Sequence, residues 1–174
     1  IHGLADAYAD GAVSANHEVR RIDVANLGLP ILTSRVEWQD EPPSPPVAQV
    51  QEIIAWADHV LILYPLWLGH MPGILKSFFE QVMRPGFAFH YREGKLPKKG
   101  LKGKSARIVV TMGMPTLFYR LVYGAHSVKS LKRNILNFVG IKPVECTLIG
   151  NVEGSAKDRE EWLRKLQKLG AAAD

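Results

Sequence analysis

The sequence predicts an α/β domain, a parallel sheet with helices on both faces, on three observations. Two segments, HVLILYP (59–65) and ARIVVTMG (106–113), are apolar at most positions, as strands are when both sheet faces are covered. Extended and amphipathic segments alternate along the chain, which means βα units around a parallel sheet. The 174 residues fit a single domain, 1–174, with one sizeable core.

The elements follow in order. Residues 2–15 place Leu4, Ala5, Tyr8, Ala12 and Val13 at helical spacing. HEVRRIDV (17–24) reads as a strand, with Val19, Ile22 and Val24 for the core. Residues 25–46 hold five of the eleven prolines and read as a long surface loop. The loop ends at Ser44, a helix N-cap, with Pro45 at the first helical position. A helix through VAQVQEIIAWA leads to the strand 59–65, and PGILKSFFEQVMR (72–84) makes an amphipathic helix. FAFHY is a short extended piece before a basic loop. The strand 106–113 precedes a helix over 126–140, which Gly140 terminates in the left-handed conformation. VECTLIGNV (144–152) is a strand, and Ser155 caps a helix over 155–169.

No strand precedes the first helix. In a doubly wound sheet of flavodoxin-like order 2-1-3-4-5 the first strand is central. The four visible strands then take positions two to five, and the first strand with its loop is apparently absent from the chain. Unpaired buried backbone groups cost about 1–3 kcal/mol each, so two arrangements are expected. Either about 20–25 further residues, one strand plus a loop at common lengths, precede the chain, or 17–24 pairs directly with 59–64 and the site at the sheet's end is empty.

Composition narrows the function. Hydrophobic residues make up 47% and charged residues 22%, with no run long enough to span a bilayer. The opening IHGLADAYADGA has neither a basic n-region nor an apolar h-region. Cys146 is the single cysteine, which excludes an internal disulfide and suits a reducing compartment. A cytoplasmic protein is expected. Residues 95–107 carry six cations and no anion. This stretch is either a solvated loop or a patch for phosphate-bearing cofactors or an acidic partner. Nucleic acid is not expected, because no aromatic residues interleave with the lysines. The histidines lack ligand spacing and no carboxylates accompany them, so no metal site is expected.

YPLWLGHMP (64–72) and TMGMPTLFYR (111–120) fall at the carboxyl ends of neighbouring strands, where open parallel sheets bind ligands. Both combine small or rigid residues with large apolar ones. Such loops suit a flat aromatic ligand, with backbone N–H groups at its edge and side chains over its faces. The alternative is that Trp67 and Leu68 plug the sheet or form a subunit contact.

YPLWLGHMPGILKSFFEQVMRPGFAF together with VVTMGMP and the following tyrosine resembles the NAD(P)H:quinone reductases of flavodoxin-like fold. These include small bacterial quinone reductases and ancillary reductase subunits of potassium-efflux systems. The resemblance covers essentially the whole chain. It implies non-covalent FAD or FMN, with NAD(P)H and a quinone as co-substrates in ping-pong hydride transfer. It implies that Pro65, Leu66, Trp67, Leu68 and Gly69 line one edge of the flavin ring, with the Trp67 and Leu68 amides facing it. Thr111, Met112, Gly113 and Met114 then face the pyrimidine edge. Tyr119 and His126 are the implied catalytic pair beside the ring, although His126 lies one residue further from the tyrosine than the family pattern, and Tyr123 is available instead. A homodimer is implied, with Trp38, Phe87 and Phe89 as residues that reach across. Two rivals remain. One is a regulatory subunit docked on a membrane transporter, with peripheral contact through 95–107. The other is a one-electron carrier.

Overall fold

The computed structural model describes residues 1–173. Its helices and strands are α1 (His2–Ser14), α2 (Arg35–Gln39), α3 (Pro45–Trp56), β1 (His59–Pro65), α4 (Gly73–Val82), β2 (Phe89–Arg92), β3 (Lys95–Lys99), β4 (Ser105–Thr111), α5 (Thr116–Leu121), α6 (His126–Ser130), α7 (Asn137–Val139), β5 (Val144–Ile149) and α8 (Ala156–Ala171). A π-helical stretch, Leu131–Leu136, joins α6 to α7.

Strands β1, β4 and β5 form a parallel sheet in that order. Alternate residues of β1 feed two cores, as a covered sheet requires. Ile62 and Tyr64 join the larger one with Val47, Phe78 and Leu131, from α3, α4 and the π stretch. Leu61 and Leu63 pack toward the second, formed by Tyr8 of α1, Val109, Ile149 and Leu166 of α8. Helices α1 and α8 cross closely: a Cβ on Gly11 would fall 1.9 Å from the Gln167 carbonyl oxygen, and one on Gly170 1.9 Å from that of Tyr8.

The strand expected at 17–24 does not form. A strand needs a ladder partner, and among the described residues the second edge of β1 pairs with nothing. The direct pairing of 17–24 with 59–64 is therefore not the arrangement found. Residues 17–23 are irregular, and Val24–Asn26 make a single 3-10 turn capped by Asp23. Val19 is exposed, whereas Ile22 and Val24 are half-buried against the larger core.

The loop 25–46 contains α2 and is tied to α4 by a polar cluster. The Gln81 amide donates to Pro30 O and Glu37 Oε1, each at 3.0 Å. Arg84, almost fully buried, donates to Glu37 O at 3.0 Å and to the Gln81 side-chain oxygen. Bonds from the Thr33 amide and then from Gln81 hold the Glu37 carboxyl below the usual carboxylate range.

Expected caps are met in different ways. Ser155 makes a full capping box with Asp158. Ser44 occupies the N-cap position with Pro45 next, but its side chain makes no capping bond. Gly140 ends its helix at φ +114°. The π stretch has a packing reason. Leu131 and Leu136 are both fully buried, and a five-residue step returns to the same face in a π-helix but not in an α-helix.

Candidate functional site

The site is built where β1 and β4 end. The two chains stay together past their last paired residues, with the Leu66 amide donating to Thr111 O at 2.8 Å. Trp67 and His70 then exchange backbone bonds of 2.9 Å around Leu68 and Gly69. Leu68 has φ +49° and Gly69 φ +76°, the left-handed pair of a type I′ turn. Glycine adopts that conformation freely; leucine does so at a cost of about 1–2 kcal/mol. This bulky residue is wholly exposed, at 106%, beside Trp67 at 63%.

The Trp67 amide is committed to His70 O, which corrects the expectation that it faces a ligand. The amides of Leu68 and Gly69 find no backbone acceptor among the described residues and are the donors the turn can offer. At the β4 end, Thr111 and Met112 are buried, and the Met112 amide bonds Ile149 O. Gly113 is exposed, with nothing within 4 Å of where a Cβ would stand. Neither the Gly113 nor the Met114 amide has a backbone acceptor among the described residues. Pro65, Leu66 and Met114 are half-buried.

Helix α5 closes the side of the site. Apart from Arg120, its exposed surface and the residues just after it are apolar, with Leu117, Phe118, Leu121, Val122 and Tyr123 all exposed. The Tyr123 ring packs 3.1 Å from the Cβ position of Gly69, so the β1 turn and the end of α5 form one surface. The sequence reading missed this helix. Its signal was TLFYRLVY after Pro115: a run of large side chains with no polar face, of which only Tyr119 is buried.

Tyr119 and Tyr64 lie inward. The Tyr119 hydroxyl accepts from the Val128 amide at 3.4 Å, and the Tyr64 hydroxyl meets Ser127 Oγ at 3.3 Å. Burial pushes the Tyr64 phenol up to about 12 and raises that of Tyr119. With its hydroxyl at the start of α6, Tyr119 faces the core, leaving Tyr123 as the surface tyrosine. His126 is exposed at the first position of α6, its ring against Gly124. The Tyr119 carbonyl accepts from Ala125 N at 3.2 Å, but no side-chain bond joins Tyr119 to His126. Cys146 is half-buried and burial raises its thiol.

Phe89 is likewise turned inward, within 6.1 Å of Trp38 and 4.9 Å of Phe138. It does not project as a residue reaching across a dimer would. These rings line a groove of about 440 Å³ between α4, β2 and the π stretch. That groove is separate from the open surface of the strand-end loops. Among the described residues, no three His, Cys, Asp or Glu gather as metal ligands, and no helix is long and apolar enough to cross a membrane.

A parallel sheet covered on both faces, with an apolar surface and free amides at its carboxyl edge, defines the class of doubly wound α/β proteins that bind ligands at strand ends. Comparison with known proteins gives the family. The model for the flavodoxin-like fold family matches residues 2–171, and the chain belongs to that family. It is 31% identical to an FMN-dependent NADH:quinone oxidoreductase 1 of Hahella chejuensis, covering 98% of this chain and 85% of that one. It is 27% identical to NAD(P)H dehydrogenase [quinone] 1 of Rattus norvegicus, covering 84% of this chain and 56% of that one. The chain spans about half the length of the first curated relatives it matches. An NAD(P)H:quinone oxidoreductase from Methanothermobacter marburgensis shares the fold, with TM-score 0.81 over 99% of this chain and 91% of that one at 23% identity.

Proposed function

We propose that the chain is the flavin-binding domain of an NAD(P)H:quinone oxidoreductase whose cofactor is FMN rather than FAD. The observation that carries this reading is the exposed apolar surface of Trp67, Leu68 and Tyr123, bordered by unbonded amides at Leu68, Gly69, Gly113 and Met114. A flat ring with polar edges fits it. Apolar faces would cover the ring while amides bond its edge. The choice of FMN rests on the name of the Hahella relative.

A bound flavin would supply hydride acceptance from NAD(P)H and hydride donation to a quinone. The protein's part is positioning and electrostatics. Amides fixed in a tight turn stabilise charge at the ring edge without reorganising. Trp67 and Leu68 exclude water from the ring face. Tyr123 and His126 are the surface groups able to donate a proton or hydrogen bond beside it. The amino terminus of α1 supports an anion at the same end of the sheet. Gly3 faces Leu163 while His17 bonds Ala171 O at 3.3 Å, so α1 runs alongside α8, and helix-start amides attract phosphate.

An open surface of this kind is completed by a second subunit, and we infer a homodimer covering Trp67, Leu68 and the outer side of α5. One entrance shared by nicotinamide and quinone makes the two half-reactions alternate, giving ping-pong kinetics. Mass spectrometry of cofactor released from the purified protein tests the reading. FMN is expected; FAD would refute the choice of cofactor, and a protein that neither carries nor takes up a flavin would refute the proposal.

A further inference from the structure

The strongest charge feature lies at the other end of the molecule. The antiparallel hairpin of β2 and β3, with the strap 100–104, is fastened to the amino ends of β4 and β5. Gly100 N donates to Ala88 O at 2.8 Å, Leu101 N to Val139 O at 3.0 Å, and Lys142 N to Lys104 O at 2.8 Å. A shallow groove of about 790 Å³ opens there, lined by Arg92, Leu96, Lys98, Lys99, Lys102 and Lys142, and no acidic residue lines it. Glu93, in the hairpin turn, is the one anion of the hairpin. Leu96, in the middle of these cations, is 83% exposed.

We propose that this hairpin face docks the protein on an anionic lipid bilayer. Two features favour a bilayer over a small anion. The Lys99 ammonium is held by Asn137 O at 2.6 Å and the Arg92 guanidinium by Leu96 O at 2.8 Å, so these groups do not converge on one ligand. Lys95, Lys98, Lys102 and Lys142 stand exposed with no ion pair among the described residues, a charge spread over a face rather than gathered at a point. An exposed leucine amid lysines also forms the amphipathic pattern that inserts at the headgroup boundary while cations remain among anionic lipids. The carboxyl-end loops lie at the opposite end of the sheet and face away from the bilayer. This inference does not depend on the redox reading.

Vesicle sedimentation tests it. The protein should bind vesicles containing about 30% phosphatidylserine in phosphatidylcholine, leave pure phosphatidylcholine vesicles unbound, and release as salt rises. The triple change Lys98→Glu, Lys102→Glu and Lys142→Glu should weaken binding at least tenfold, and Leu96→Asp several-fold, with circular dichroism unchanged. Equal loss from Lys157→Glu, Lys165→Glu and Lys168→Glu on α8 would mean adsorption by net charge alone and overturn the proposal. Binding to native membranes but not to protein-free anionic vesicles would overturn it in favour of a protein partner.

Discussion

Leu68 carries the clearest conflict between local energy and conformation. A type I′ turn favours glycine or asparagine at its first central position, and this chain places a fully exposed leucine there at φ +49°. Nothing in the fold of the single chain uses that side chain. Leu68→Gly would relieve about 1–2 kcal/mol of left-handed cost against roughly 0.5–1 kcal/mol of added freedom in the unfolded chain. Urea denaturation of the flavin-free protein should therefore show stability level or slightly raised. Flavin affinity, followed by fluorescence of the released cofactor, should fall at least tenfold. A variant with unchanged flavin affinity would remove Leu68 from the site.

At the scale of elements, the α1–α8 crossing rests on two glycines. A methyl at Gly11 meets the Gln167 carbonyl at 1.9 Å, and backbone does not yield as a side chain can. Gly11→Ala should cost about 3 kcal/mol, the upper range for overpacking, read as a lower denaturation midpoint with an unchanged slope. The same scale shows what the sequence made legible. β1 and β4 were readable because they are apolar at most positions, β5 because Val144, Cys146 and Leu148 fall between the Gly140 helix stop and the Ser155 cap, and α8 because Ser155 and Asp158 make a local cap. The strand at 17–24 was misread because alternation of Val19, Ile22 and Val24 shows what a strand could bury, not whether a neighbour exists to pair with it. The basic loop 95–107 contains β3, whose pairing with β2 depends on a partner strand that charge does not reveal. At the site, the two turns were found from their position after apolar strands. The inward turn of Tyr119 was hidden, because TLFYRLVY offers two tyrosines and only tertiary packing chooses between them.

At the scale of the whole molecule, the sheet separates two surfaces by its length. Its carboxyl end presents apolar side chains and unbonded amides; its amino end presents lysines around Leu96. The central claim, a reducible flavin held at the carboxyl end, is tested most directly by anaerobic titration of the flavin-loaded protein with NADPH or NADH. The account predicts that the flavin absorbance bleaches and that added quinone restores it. A flavin-loaded protein that either nucleotide leaves unbleached, or that a quinone fails to reoxidise, would contradict it.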